Sequence, residues 1–279
     1  MHDAQVTDGG ARIRWVELPG ATAAAGAAGP AGASGDQGVT EGPCGLPDRV
    51  YLHGLGASSA PYFAASATHP LLAGGRSLLV DLLGFGVSDR PTDFGYTLEE
   101  HADAVARAMD AAGAHGADVI GHSMGGAVAI VLAARHPRLV DRLVLVDANL
   151  DPAAPAPGRP GSSGIAAYTE EEFLAGGLAE VRERVSPSWW ATMRLAGPEA
   201  LYRSAVNLAR GTAPTMREIL LDLRIPRTFL RPSADGPLPG EAVLVDHGVR
   251  VVAVPDCGHN IMLDNPEAFA RETAAALAP

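Results

Sequence analysis

Hydrophobic and polar positions along this chain follow two alternating rhythms. Residues 11–18 (ARIRWVEL) alternate around Ile13, Trp15 and Val16, as a half-buried strand does. Short apolar runs recur at 49–52, 77–80, 118–120, 143–146, 227–230 and 249–254, each of the length of a buried strand. Helical spacing fills several of the gaps. Thr97 and Glu100 form a capping box ahead of Leu98, Val105 and Met109, and Gly113 can close that helix. A run that is apolar nearly all round follows Ser123 and stops at His136-Pro137. Strands that alternate with helices predict an α/β fold: a mostly parallel central sheet with helices on both faces.

The rhythm breaks twice. Residues 19–47 are dominated by Ala, Gly, Pro and Ser, too poor in large apolar groups to offset the entropy of ordering, and are expected to form a flexible surface insertion. Between 151 and 224 a Pro/Gly/Ser-rich connector leads into helical segments with no strand among them. One is marked by a capping box at Thr169 and Glu172, another by Pro198 in a first turn. The organisation expected is a core of 1–150 and 225–279, with 151–224 laid over the strand ends as a helical lid. A last helix should begin after Asn265-Pro266.

Composition narrows the function classes. A chain of 279 residues with 47% hydrophobic content can bury a large core, and no stretch approaches an uninterrupted membrane span. The polar start MHDAQVTDGG has neither the basic end nor the apolar core of an export signal, so a cytoplasmic location is expected. A net charge of −11 without a basic patch argues against nucleic acid as a partner. The basic residues are all arginine, which with so much Ala, Gly and Pro reads as coding bias. Cys44 and Cys257 make neither a disulfide framework nor a metal site. The expectation is therefore a small-molecule substrate, no cofactor, no metal and no membrane, with monomer and homodimer both open.

Four motifs carry the chemistry: HGLG at 53–56, DLLGFGVSDRP at 81–91, GHSMGG at 121–126 and DCGHNIMLDNPEAF at 256–269. Glycines on both sides of Ser123 permit a sharp strand-to-helix turn with the hydroxyl at its apex, at a helix N-terminus that favours developing negative charge. With these motifs the chain resembles the α/β-hydrolase superfamily from about residue 11 to 277. The resemblance implies that Ser123 is the nucleophile of an elbow of the Gly-x-Ser-x-Gly kind. It implies His259 as the base, His53 as a brace of the oxyanion loop, and the backbone N–H groups of Leu55 and Met124 as the oxyanion hole. His122 would be structural. The triad acid has two candidates: Asp235, after the strand at 227–230, and Asp147, after the strand at 143–146. Either gives the order Ser, Asp, His.

In the expected lid, Trp189 and Trp190 are candidates for substrate contact, and an apolar lid would suit an uncharged, fairly hydrophobic group. Cys257 fits a small-residue position. Superfamily members that work through an alkyl-enzyme carry aspartate at the elbow, so Ser123 speaks against that chemistry. The elbow is also not the GNSMGG common in carbon–carbon bond hydrolases of ring-cleavage products. The function expected is cleavage of a carboxylic ester, thioester or lactone through an acyl-enzyme. The alternatives are a lyase, cyclase or acyl-transfer reaction on the same scaffold, and a ligand-binding protein.

Overall fold

A computed structural model describes residues 1–20 and 45–278. Apart from its ends, the insertion expected at 19–47 lies outside the described residues, as does Cys44. Eight strands form one sheet: β1 (His2–Gln5), β2 (Arg12–Leu18), β3 (Arg49–Leu52), β4 (Ser77–Asp81), β5 (Ala117–His122), β6 (Val140–Val146), β7 (Arg227–Pro232) and β8 (Val249–Val254). Their spatial order is β1-β2-β4-β3-β5-β6-β7-β8. β1 and β2 pair antiparallel, as do β2 and β4, and every pairing from β3 to β8 is parallel. Seven of these strands match the apolar runs. β1 does not, because it is a sheet-edge strand with a single buried residue, Ala4, and so leaves no apolar pattern to read.

Alternate residues of the parallel strands feed two cores. Val119 and Leu145 point to one face, where helices α2 (Leu98–Ala112) and α3 (Met124–Arg135) pack; Ile120 and Val146 point to the other, covered by α1 (Ser59–Ala67) and the C-terminal helix Pro266–Leu277. Each large side chain removed from water on either face contributes about 1.5–3 kcal/mol before ordering entropy is set against it. Helix α2 begins where the capping box places it. Thr97 Oγ1 accepts from Glu100 N at 3.1 Å, and Glu100 Oε2 accepts from Thr97 N at 3.0 Å. Gly113 ends it in the left-handed region, at φ 68°.

Between β6 and β7 the chain forms helices joined by loops, with no strand among the described residues. The longest of these helices, Pro198–Arg210, turns Ala200, Leu201, Ala205 and Leu208 into the first core. This helix and the one before it, Pro187–Met193, are also tied to the loops that leave the carboxyl ends of β3 and β4. Trp189 Nε1 donates to Leu55 O at 2.9 Å, and Thr192 Oγ1 to Gly56 O at 2.9 Å. Asn207 Nδ2 donates to Gly95 O and Tyr96 O at 3.0 and 2.9 Å. These bonds anchor the helical segment over the strand ends, where open α/β sheets gather their chemistry.

Candidate active site

Ser123 sits between the end of β5 and the first turn of α3, with φ 52° and ψ −120°, a region that side-chain-bearing residues rarely enter. Three backbone bonds hold it there. Its N–H donates to Val146 O on β6, and its carbonyl accepts from Gly126 N and Ala127 N. The flanking glycines are required by close approach. A Cβ on Gly125 would lie 2.4 Å from Leu52 O, and one on Gly121 would lie 2.6 Å from Gly125 O. The elbow is therefore packed against β3 and its own helix so tightly that no methyl fits on either side.

His259 stands beyond the end of β8 on a loop that is pinned at several points. Asn265 Nδ2 donates to Pro255 O, Asp264 Oδ2 accepts from Gly258 N, and Cys257 Sγ is 3.3 Å from Val254 O. Burial and surrounding carboxylates push the Cys257 thiol above its ordinary pKa, which keeps it protonated and a poor nucleophile. The carbonyl of His259 itself accepts from His122 Nε2 at 3.0 Å. His122 is thus more than filler: it ties the histidine loop to the elbow. Burial holds its imidazole well below its ordinary pKa, so it makes this bond as a neutral ring.

The imidazole of His259 donates from Nδ1 to Asp147 Oδ2 at 2.6 Å. That bond leaves Nε2 as the basic nitrogen. Asp147 follows β6 directly, at φ 43°, and its own N–H is held by Leu230 O at 2.8 Å, so the sheet itself places the carboxylate. Asp235 does not meet His259. β7 extends to Pro232, a 3₁₀ turn over Ser233–Asp235 follows, and Asp235 ends exposed, with no hydrogen bond or ion pair to the imidazole among the described residues. Of the two acids the sequence leaves open, the structure brings only Asp147 to the histidine.

The N–H groups of Leu55 and Met124 are the expected oxyanion donors. Met124 is the first residue of α3, where helix geometry leaves amides without intrahelical acceptors. Leu55 lies in a turn closed by Ala57 N to Gly54 O at 3.1 Å, with Gly56 at φ 67°. Neither amide donates to a backbone carbonyl among the described residues. His53 braces this turn: Nε2 accepts from Leu82 N at 3.1 Å and Nδ1 donates to Gly54 O at 2.8 Å. Because Nε2 is an acceptor it carries no proton, so the 4.0 Å approach of Asp81 is not an ion pair. Burial, which lowers the His53 pKa, agrees with that neutral form.

A cavity of about 580 Å³ opens over Ser123, His122 and His259. Trp189 lines it; Trp190 does not, and instead carries Arg182 over its ring at 5.7 Å. Neighbouring residues on a helix point about 100° apart, and although both tryptophans pack against the first core, only Trp189 reaches the cavity. The wall is mixed and mainly apolar: Ala153, Pro160, Val185 and Leu208 share it with Ser162, Ser163, Arg184 and Ser186. Asn149 was not singled out by the sequence, yet it lines the cavity and accepts the Ser123 hydroxyl at 3.3 Å. Its only sequence signal was its place two residues beyond a strand-end acid. Among the described residues no cluster of three His, Cys, Asp or Glu could hold a metal ion, and no helix is long and apolar enough to cross a membrane.

The family model described as alpha/beta hydrolase fold matches residues 50–243. Curated relatives match over shorter stretches. The chain is 36% identical over 97 residues to 2-hydroxymuconate semialdehyde hydrolase of Pseudomonas putida, covering 35% of this chain and 34% of that one. It is 33% identical over 135 residues to sn-1-specific diacylglycerol lipase ABHD11 of Mus musculus, covering 48% and 43%. The matches thus span between about a third and less than half of those relatives. Among solved structures, an esterase from Exiguobacterium antarcticum superposes with a TM-score of 0.72 at 20% identity, over 99% of this chain and 98% of that chain, a likeness of fold.

Proposed function

The chain belongs to the α/β-hydrolase family, and from that premise we propose that it is a serine hydrolase that cleaves a carboxylic ester, thioester or lactone of a small molecule through an acyl-enzyme. One observation carries the reading: the 2.6 Å bond from His259 Nδ1 to Asp147, made beside a serine held at a strained elbow. A serine hydroxyl is too weakly acidic to attack a carbonyl unaided near neutral pH and needs an adjacent base. Asp147 fixes the tautomer that leaves Nε2 basic, and stabilises the imidazolium formed when Nε2 takes the Ser123 proton.

In the resting site the Ser123 hydroxyl donates to Asn149. Rotation of the hydroxyl about its Cβ–Oγ bond turns the hydrogen toward Nε2 as substrate enters, in keeping with catalytic hydrogen bonds that tighten only in the loaded enzyme. Ser123 Oγ then attacks the carbonyl carbon, and the oxygen that gains charge is met by the N–H groups of Leu55 and Met124. Removing one such donor typically costs about 10²–10³ in rate. The imidazolium protonates the leaving alcohol or thiol. Water next attacks the acyl-enzyme, gives its proton to His259 and releases the acid as Ser123 recovers its hydrogen.

Two measurements test this: turnover of short 4-nitrophenyl esters, and labelling by a fluorophosphonate probe, each on the wild type and on Ser123→Ala. Wild type should turn over and become labelled, and the variant should do neither. An unlabelled wild type, or a variant with full turnover, would overturn the mechanism.

A further inference from the structure

The hydroxyl of Ser123 has one hydrogen-bond partner among the described residues, and it is the side-chain oxygen of Asn149 at 3.3 Å. Asn149 is not free to wander. Two residues earlier, Asp147 N is bonded to Leu230 O at 2.8 Å; one residue later, Leu150 O accepts from Arg217 N at 2.9 Å. Between these anchors the methyl of Ala148 packs against α3, so closely that a Cβ on Gly126 would come within 2.4 Å of it. The loop that delivers the acid to His259 therefore also fixes a carboxamide beside the nucleophile. Asn149 is half-buried and faces the cavity rather than the core.

We infer that Asn149 orients the water that attacks the acyl-enzyme, and so serves the second half of the reaction. The inference rests on the acyl-enzyme reading above. Once Ser123 is acylated its oxygen has no hydrogen left to donate, and Asn149 Oδ1 loses its partner. That acceptor then sits beside the oxygen to which the acyl carbon is joined. A water molecule there has two hydrogens and needs two acceptors to aim a lone pair at the acyl carbon. His259 Nε2 supplies one and Asn149 Oδ1 the other. As the water oxygen bonds to carbon, its first proton passes to Nε2, and its second stays on oxygen, held by Oδ1. Collapse of the tetrahedral intermediate breaks the bond to Ser123 Oγ, which takes the proton back from His259 and leaves the free acid. No other reactant is needed. Fixing a water in attack geometry removes the entropy of finding it, an effect confined to the step in which water reacts.

Acylation and deacylation can be read separately by stopped-flow release of 4-nitrophenol from 4-nitrophenyl acetate. Asn149→Ala and the near-isosteric Asn149→Leu should acylate within about threefold of wild type and deacylate at least tenfold more slowly. A burst approaching one equivalent per active site should therefore precede a slow steady state. Hydroxylamine, a stronger nucleophile, should restore turnover in the variants more than in the wild type. Structural damage to the site would instead slow acylation and deacylation together and weaken fluorophosphonate labelling, and that outcome overturns the inference. So does deacylation at the wild-type rate. A wild type that neither turns over nor becomes labelled would instead sink the serine-hydrolase reading itself.

Discussion

Asp147→Asn separates the two acids that the sequence leaves open. The substitution keeps the size of the side chain but removes the charge that faces His259 Nδ1 across 2.6 Å. Two losses follow. An amide can present its NH2 group to Nδ1, which moves the imidazole proton to Nε2 and leaves no base toward Ser123. The imidazolium formed during attack also loses its counter-charge. At an effective dielectric constant near 20, a charge pair about 4 Å apart is worth about 4 kcal/mol. The imidazole is 53% exposed and the carboxylate 21%, so solvent screens part of that, and about 2–3 kcal/mol is a fair share for the Coulombic loss. The tautomer error comes on top of it. In triads of this design the acid-to-amide change costs about 10⁴ in kcat, and the partial exposure here argues for about 10³.

The assay is kcat for a short 4-nitrophenyl ester at pH 7.5, with circular dichroism to show that the fold persists. Asp235→Asn serves as the paired control. It stands exposed on a 3₁₀ turn with no bond to the imidazole, so its kcat should stay within about threefold of wild type. If Asp235→Asn loses activity by orders of magnitude, or Asp147→Asn keeps more than a tenth of it, the assignment of the acid is refuted.

Gly125→Ala should destabilise the fold by about 1–3 kcal/mol, because the new methyl meets the backbone carbonyls of Leu52 and His53 at 2.4 and 2.5 Å, and backbone cannot step aside as a side-chain tip can; a urea midpoint equal to wild type would contradict the packing described. Acid sensitivity should come in part from His101, whose ring is fully buried with Nδ1 unpartnered, and whose pKa burial pushes down to about 3. A histidine lowered in the fold stays neutral there while the unfolded chain takes up protons below about 6.5, so its contribution is complete above that pH and is lost as pH falls toward 3; at pH 5 the loss is about 2 kcal/mol. Comparing urea midpoints at pH 7.5 and 5.0 for wild type and His101→Gln should show a smaller acid drop in the variant, and equal drops would refute it.

The sheet was legible because seven of its strands carry an apolar run or a half-buried alternation, and burial is what hydrophobic pattern records. β1 escaped because an edge strand with one buried alanine writes almost nothing into composition. The candidate nucleophile and the histidine proposed as its base stood out for a different reason: glycines that admit no Cβ leave a fixed spacing around Ser123, and the Gly-His pair follows a strand end. The acid was not legible, because two strands end near an aspartate and the choice depends on the path of a few residues. β7 continues to Pro232 and a 3₁₀ turn carries Asp235 outward, whereas Asp147 turns at once into a left-handed conformation. Asn149 and the serines of the cavity wall were hidden for the same reason. Their meaning comes from tertiary approach across the sheet and the helical segment, and no local spacing encodes it. The two tryptophans show how fine the limit is, since of two adjacent positions in one helix only Trp189 lines the cavity.

Strain in the backbone is concentrated where the chemistry is proposed. Four non-glycine residues have positive φ among the described residues, and three of them, Ser123, Asp147 and Asp256, directly follow β5, β6 or lie just beyond β8. Such conformations cost about 1–3 kcal/mol each and persist only where neighbouring bonds over-determine them. At Ser123 those bonds are the ones to Val146, Gly126 and Ala127. The cost arises from the Cβ, not the hydroxyl, and this gives it a signature. Ser123→Ala removes the nucleophile but keeps the Cβ, so it should leave stability nearly unchanged. Ser123→Gly also removes the nucleophile, but it relieves the strain while adding about 0.5–1 kcal/mol of unfolded-state entropy. The glycine variant should therefore be the more stable of two inactive proteins by about 1 kcal/mol, a rise in Tm of about 2 °C for a chain of this size. A glycine variant that melts at or below the alanine variant would mean that the elbow stores no strain, and that the geometry of Ser123 is maintained without cost to the fold.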